Sequence, residues 1–274
     1  MMLKGLSNAG LGPIEDPFHY MELAAKHGFH AVELNAAQMI EHYGQARVLS
    51  ALERYQLKVG AFDLGVQWRD SEKQFEADLL SLPARVYAQS LLGSKVCTTY
   101  ILPSTDLLPA AFTISTINRL RRCARLLQPY DISLALEFVG PHHLRTMWKY
   151  PFIYTLDDTL ALIQAIQMPN VGLLVDAYHC YTTSLSWEDL RSLPSSLIKY
   201  VHINDAKPLP VHELLDGDRL YTGEGVIALA DFIAALRDAG YEGIVAQEVL
   251  TSEVPVSLED ALLRTKFGFD VLFG

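Results

Sequence analysis

Cysteine is scarce in this chain: Cys97, Cys123 and Cys180 are the only three in 274 residues. An odd number without CxxC spacing argues against a disulfide framework, so buried free thiols are expected. Positive charge is also short, with 22 Lys and Arg against 32 Asp and Glu and a formal net charge of −10. A nucleic-acid partner needs an excess of cationic side chains to displace condensed counterions, and this chain has the opposite balance. A small, neutral or weakly charged substrate suits it better. No stretch approaches the roughly eighteen uninterrupted apolar residues of a membrane span. The opening MMLKGLSNAGLGPIEDPF lacks the apolar centre of a secretory signal. These absences predict a soluble cytoplasmic protein with no membrane partner.

Half of the residues are hydrophobic and a fifth are charged, enough apolar material for one large core. Strand and helix patterns alternate from end to end. Strand signals fall on LKGLSNA, HAVELNA, LKVGAFDLG, SKVCTTYIL, DISLALEF, VGLLVDA, LIKYVHIND and GIVAQEV. Helical signals lie between them, over Glu15 to His27, Gln45 to Tyr55, Ser71 to Leu92, Ile114 to Leu127, Leu156 to Ile166, Trp187 to Leu193, Ala228 to Ala239 and Leu258 to Phe267. Pro83 is expected to kink or split the third of these. Eight βα units close naturally into an α/β (β/α)8 TIM barrel, whereas a doubly wound sheet usually stops sooner. No Pro/Ser-rich linker or charge block interrupts the series, which predicts a single domain over residues 1–274. The longest irregular stretches, Val139 to Tyr154 and Lys207 to Val226, follow strands five and seven, on the face where barrels build active sites.

Four consecutive strands end in a side chain able to hold a divalent metal: LALEF at Glu137, VGLLVDAYH at Asp176, IKYVHIND at His202 and GIVAQEV at Glu248. A carboxylate closing a buried strand needs a partner to neutralise it, and one shared cation would serve all four. Three oxygen donors and one nitrogen form a hard, anionic ligand set. It favours Mn2+, with Mg2+, Co2+ or Zn2+ as alternatives, over a thiolate-rich structural zinc.

With Asp176-x-x-His179, His202-x-x-Asp205 in VHINDA, the GEG turn at Gly223 to Gly225 and the terminal Gln247-Glu248, the chain resembles the xylose-isomerase-like barrel superfamily. The likeness is to its sugar phosphate isomerase/epimerase members, related to family 2 apurinic endonucleases, and spans nearly the whole chain. It implies that Glu137, Asp176, His202 and Glu248 bind one divalent metal and that Glu137 and Glu248 double as the acid/base pair. It also implies that His179 and Arg219 grip substrate oxygens. The chemistry agrees: isomerising or epimerising a keto sugar removes a proton beside a carbonyl, and the enediolate must be stabilised as it forms. The substrate expected is a small carbohydrate, with a homo-oligomer left open.

Three other readings compete. The same metal and glutamates could serve a lyase that dehydrates a keto-inositol or opens a 3-keto-glycoside. A trinuclear endonuclease needs extra histidines, but Leu220 follows Asp218-Arg219, and FDLG and TTYILPS offer none. A sugar-binding barrel without turnover would show a broken ligand set, and all four positions are intact. Lesser candidates are His142 and His143 as pocket lining, and Trp68, Phe138 and Trp148 as apolar walls. Glu33 and Asp63 read as hydrogen-bonding lining at strand ends. Asp205 reads as a residue that orients His202 or caps the next turn, and Cys180 has no group to activate it as a nucleophile.

Overall fold

In the computed structural model, which describes residues 1–274, eight parallel strands lie side by side in one sheet. They are β1 (Leu3–Leu6), β2 (Ala31–Val32), β3 (Lys58–Val59 and Phe62–Asp63), β4 (Val96–Ile101), β5 (Ser133–Phe138), β6 (Val171–Asp176), β7 (Ile198–Ile203) and β8 (Ile244–Gln247). The first half of β3 pairs with β2 and the second half with β4. Strand β8 pairs with β1 through Leu3↔Ile244, so the ring closes as the sequence predicts. The break in β3 falls at Gly60, where a Cβ would lie 2.6 Å from the Tyr200 hydroxyl and 3.1 Å from Glu33 Cγ. Only glycine leaves those side chains their space.

Eleven helices accompany the strands, three more than the alternation predicts. They are α1 (Pro17–Lys26), α2 (Ala36–Tyr43), α3 (Gln45–Tyr55), α4 (Glu72–Leu91), α5 (Pro109–Leu127), α6 (His142–Arg145), α7 (Leu156–Ile166), α8 (Ala177–Thr182), α9 (Trp187–Arg191), α10 (Leu229–Asp238) and α11 (Leu258–Phe273). Caps explain several starts: Asp16 accepts from the Phe18 and His19 amides at α1, and Thr155 from the Asp158 amide at α7. The unforeseen α2, α6 and α8 sit in loops after strands and are at most 8 residues long, too short to show a helical period. Helix α4 runs unbroken through Pro83, which lies exposed on its outer side, where water can take the carbonyl freed by the missing N–H.

Strand alternation divides the core in two. Sixty-five buried residues pack between sheet and helices, while Ala61, Ala135, Leu174, Tyr200 and Ala246 fill the barrel interior. Successive side chains on a strand point to opposite faces, so the next inward positions after Ala135, Leu174, Tyr200 and Ala246 are Glu137, Asp176, His202 and Glu248. The interior layer therefore forms the floor of whatever these four build. No helix is long and apolar enough to cross a membrane.

A candidate metal centre at the carboxyl ends of the strands

Glu137, Asp176, His202 and Glu248 converge as the sequence suggests. One ligand atom from each lies within 4.8 Å of the other three. Register brings them there: His202 pairs with Asp176 across β6 and β7, and Glu137 pairs with Leu174 one inward step below Asp176. Glu248 stands one residue beyond β8, with its amide bonded to the Ile203 carbonyl at 3.0 Å. His202 turns Nδ1 towards the group, 3.3 Å from Glu248 and 3.6 Å from Glu137.

The donor set fits a divalent cation. Glu137 Oε1 and both ring nitrogens of His202 are buried without a hydrogen-bond partner, a costly arrangement for a site meant to stay bare. Asp176 is more fully engaged. Its Oδ1 caps α8 through the Tyr178 and His179 amides, and its Oδ2 accepts from Asn204 Nδ2 at 2.9 Å and Arg219 Nη1 at 3.0 Å.

Arg219 is the buried cation of the cluster. It bonds Asp176 and Glu248 through Nη1, each at 3.0 Å, Asp216 through Nη2 at 2.8 Å, and lies 3.3 Å from His179 Nε2. Two isolated bridges hold its loop in place, Asp205 with Leu220 and Asp218 with Thr251. Asp205 anchors the same loop. Its carboxylate accepts four backbone amides, from Ala206, Gly223, Gly225 and Ile227, and makes no bond to His202. Of its two expected roles, Asp205 therefore takes the cap. Asp205→Asn is expected to cost about 1–3 kcal/mol of stability, since an amide NH2 cannot accept from the amides one carboxylate oxygen served. Urea unfolding curves that overlay those of the wild type would contradict this.

The charges within the cluster are unequal. Burial pushes the Glu137 carboxyl up, only partly opposed by His202 and His179. Burial acts the same way on Glu248, but His202 and Arg219 outweigh it and hold that carboxyl well below the usual range. His202 is pulled up despite its burial, because Glu248, Glu137 and Glu33 surround it. The carboxylates around the imidazole thus favour its charged form against the opposing effect of burial.

A family model described as the xylose isomerase-like TIM barrel matches residues 21–266. The chain belongs to this family. Inosose isomerase of Bacillus velezensis is 25% identical over 239 residues, which cover 85% of this chain and 83% of that protein. Among solved structures, a xylose isomerase domain protein from Alicyclobacillus acidocaldarius superposes with a TM-score of 0.91 at 34% identity, covering 99% of this chain and 98% of that one. An IOLI protein holding a zinc atom superposes with a TM-score of 0.83 at 21% identity, over 99% and 98% of the two chains.

In this xylose isomerase-like barrel the site opens into a cavity of about 540 Å³, lined by His179, Arg219, Glu33 and Asp63 as well as Glu137, His202 and Glu248, while Asp176 is buried behind them. His179 lies in α8, where a loop was expected, with Nε2 3.9 Å from Glu137 and 4.0 Å from Asp216. The apolar walls expected from Trp68, Phe138 and Trp148 are not in this cavity. Phe138 follows the inward Glu137 and so points outward into the core, while Trp68 and Trp148 line a separate cleft with Phe112 and Phe152. The apolar lining is instead Tyr100, Leu102, Val139, Leu144 and Leu250, with Leu174 from the interior layer. His142 is exposed and His143 partly so, and neither lines the cavity. All three cysteines are buried thiols, as expected. Asn204 and Asp216 escaped the sequence reading. Asn204 lies within VHINDA, one inward step beyond His202, so strand alternation could have placed it beside Asp176. For Asp216, three residues before Arg219, nothing in the sequence shows that their loop folds back onto the cluster.

Proposed function

We propose that the protein is a divalent-metal-dependent isomerase or epimerase of a keto sugar or related polyol ketone. The convergence of Glu137, Asp176, His202 and Glu248 from four adjacent strand ends carries this reading. The resemblance to inosose isomerases, at 25% identity, points to a cyclic polyol ketone as the first substrate to try. These four residues would hold the ion, with Mn2+ favoured by the hard donor set. The zinc in the IOLI protein shows that a barrel of this fold can also take the borderline metal. When bound, the ion supplies Lewis-acid stabilisation to the oxygen that gains charge as the proton leaves carbon.

The remaining work belongs to the side chains. One of Glu137 and Glu248 removes the proton from the carbon next to the carbonyl, and the other returns one. The configuration of that carbon sets which begins. His179 presents Nε2 to the cavity between Glu137 and Asp216, placed to donate to a substrate oxygen. Arg219 holds Glu248 and Asp176 in position, and its longest contact, 3.3 Å to His179, is the one it can exchange for substrate. The apolar residues at the mouth limit water around the exposed carbanion.

Solvent-deuterium exchange tests this directly. Purified protein loaded with Mn2+ is expected to incorporate deuterium beside the carbonyl of at least one ketone in a panel of inososes, ketohexoses, ketopentoses and 3-keto-glycosides. Absence of exchange across the whole panel with any of the four metals would contradict the proposal.

A further inference from the structure

The geometry points to Glu33 as a positioning residue that holds the His202 imidazole in the tautomer a metal ligand needs. The inference rests on His202 being a ligand. Nδ1 is the nitrogen that faces Glu248 and Glu137, at 3.3 and 3.6 Å, so Nδ1 must offer its lone pair to a cation there. A neutral imidazole has one ring proton, and that proton then belongs on Nε2. A buried N–H requires an acceptor. Glu33 Oε1 stands 3.6 Å from Nε2, and both atoms are buried without any other hydrogen-bond partner. They are the unmatched halves of one donor–acceptor pair.

The surroundings are shaped around that pair. Glu33 comes from the loop directly after β2, across the barrel from the ligand arc. Tyr200, one inward step below His202 on β7, meets the imidazole edge to face with ring centroids 5.5 Å apart. The Tyr200 hydroxyl is another buried group without a partner, and it crowds the same point beside Gly60 as Glu33 Cγ. Gly60 thus makes room for a Tyr200, Glu33 and His202 group directly beneath the site. Carboxylates that accept from the far nitrogen of a ligating histidine set its ring orientation and basicity, and losing one typically costs roughly 10–100-fold in metal affinity.

Calorimetric titration of metal-free protein with Zn2+ reads this without reference to turnover. Glu33→Ala is expected to weaken Zn2+ binding by roughly 10–100-fold, and Glu33→Gln, whose amide oxygen still accepts, to recover most of the loss. Nitrogen NMR of isotope-labelled, Zn2+-loaded wild type needs no variant and is expected to show the His202 proton on Nε2. Zn2+ affinity in Glu33→Ala indistinguishable from wild type, a Gln variant as weak as the Ala variant, or a His202 proton on Nδ1 would each overturn the inference. His202→Ala separates the layers. If it binds Zn2+ normally, the ligand assignment falls and this inference with it. If it binds weakly while Glu33→Ala does not, only the role of Glu33 is refuted.

Discussion

Glu137→Gln and Glu248→Gln are each expected to lower turnover by two or more orders of magnitude, the scale on which removal of a general acid or base acts. Both replacements keep the volume of the side chain and one oxygen that can face a cation, so fold and metal content should change far less than rate. The amide cannot take up or return a proton at that position. The two variants should also differ from each other. Glu248 is bonded to Arg219 at 3.0 Å and lies 3.3 Å from His202, so its substitution unbalances two neighbours. Glu137 accepts no hydrogen bond at Oε1, so its substitution should disturb structure less. Steady-state kinetics with a measured metal content per chain decide the matter. Near-native turnover by either variant, fully loaded with metal, would refute a two-carboxylate scheme.

Much of the site is legible in the sequence because its main positions sit on strands. A short apolar run ending in Glu, Asp or His describes a buried strand that delivers a polar side chain to one rim, and β5 to β8 do this in order. Strand parity could have told more. Once Glu137 points inward, Phe138 must point outward, so its placement in the core was readable from alternation alone. The contacts that orient the site were not readable. Arg219, with Asp216 beside it at i,i+3, reaches Asp176 and Glu248 only because the segment after β7 folds back through the Asp205 and Asp218 bridges. That fold depends on four amides converging on the Asp205 carboxylate, a tertiary event with no periodic signature. The short α6 and α8 carry no periodic signature either, and α8 begins where β6 stops, started by Asp176, a residue already read as a ligand. One carboxylate serving as helix cap and candidate ligand hides the first role behind the second.

Arg219→Met should destabilise the metal-free protein by about 3–5 kcal/mol, the range found when one partner of a buried ion pair is removed. The arginine side chain is 1% exposed and lies within 3.0 Å of oxygens on Asp176, Asp216 and Glu248. Methionine fills a similar volume without the charge, so the loss reports electrostatics more than packing. What remains is a set of buried carboxylates with only His202 and His179 to balance them. A divalent cation should then matter more to the variant than to the wild type, because it supplies charge that the wild type draws from Arg219. Any ligand that binds only the folded state adds about 2.7 kcal/mol at a hundredfold excess over its Kd. The variant should gain more than this shared increment, provided that cation and guanidinium serve the same carboxylates. Urea unfolding of both proteins, in chelator and in saturating Mn2+, measures the difference. A deficit that is the same with and without Mn2+ would mean that Arg219 and the metal act on separate groups. In that case Asp176 and Glu248 could not be ligands, since they are the two candidate ligands that Arg219 holds.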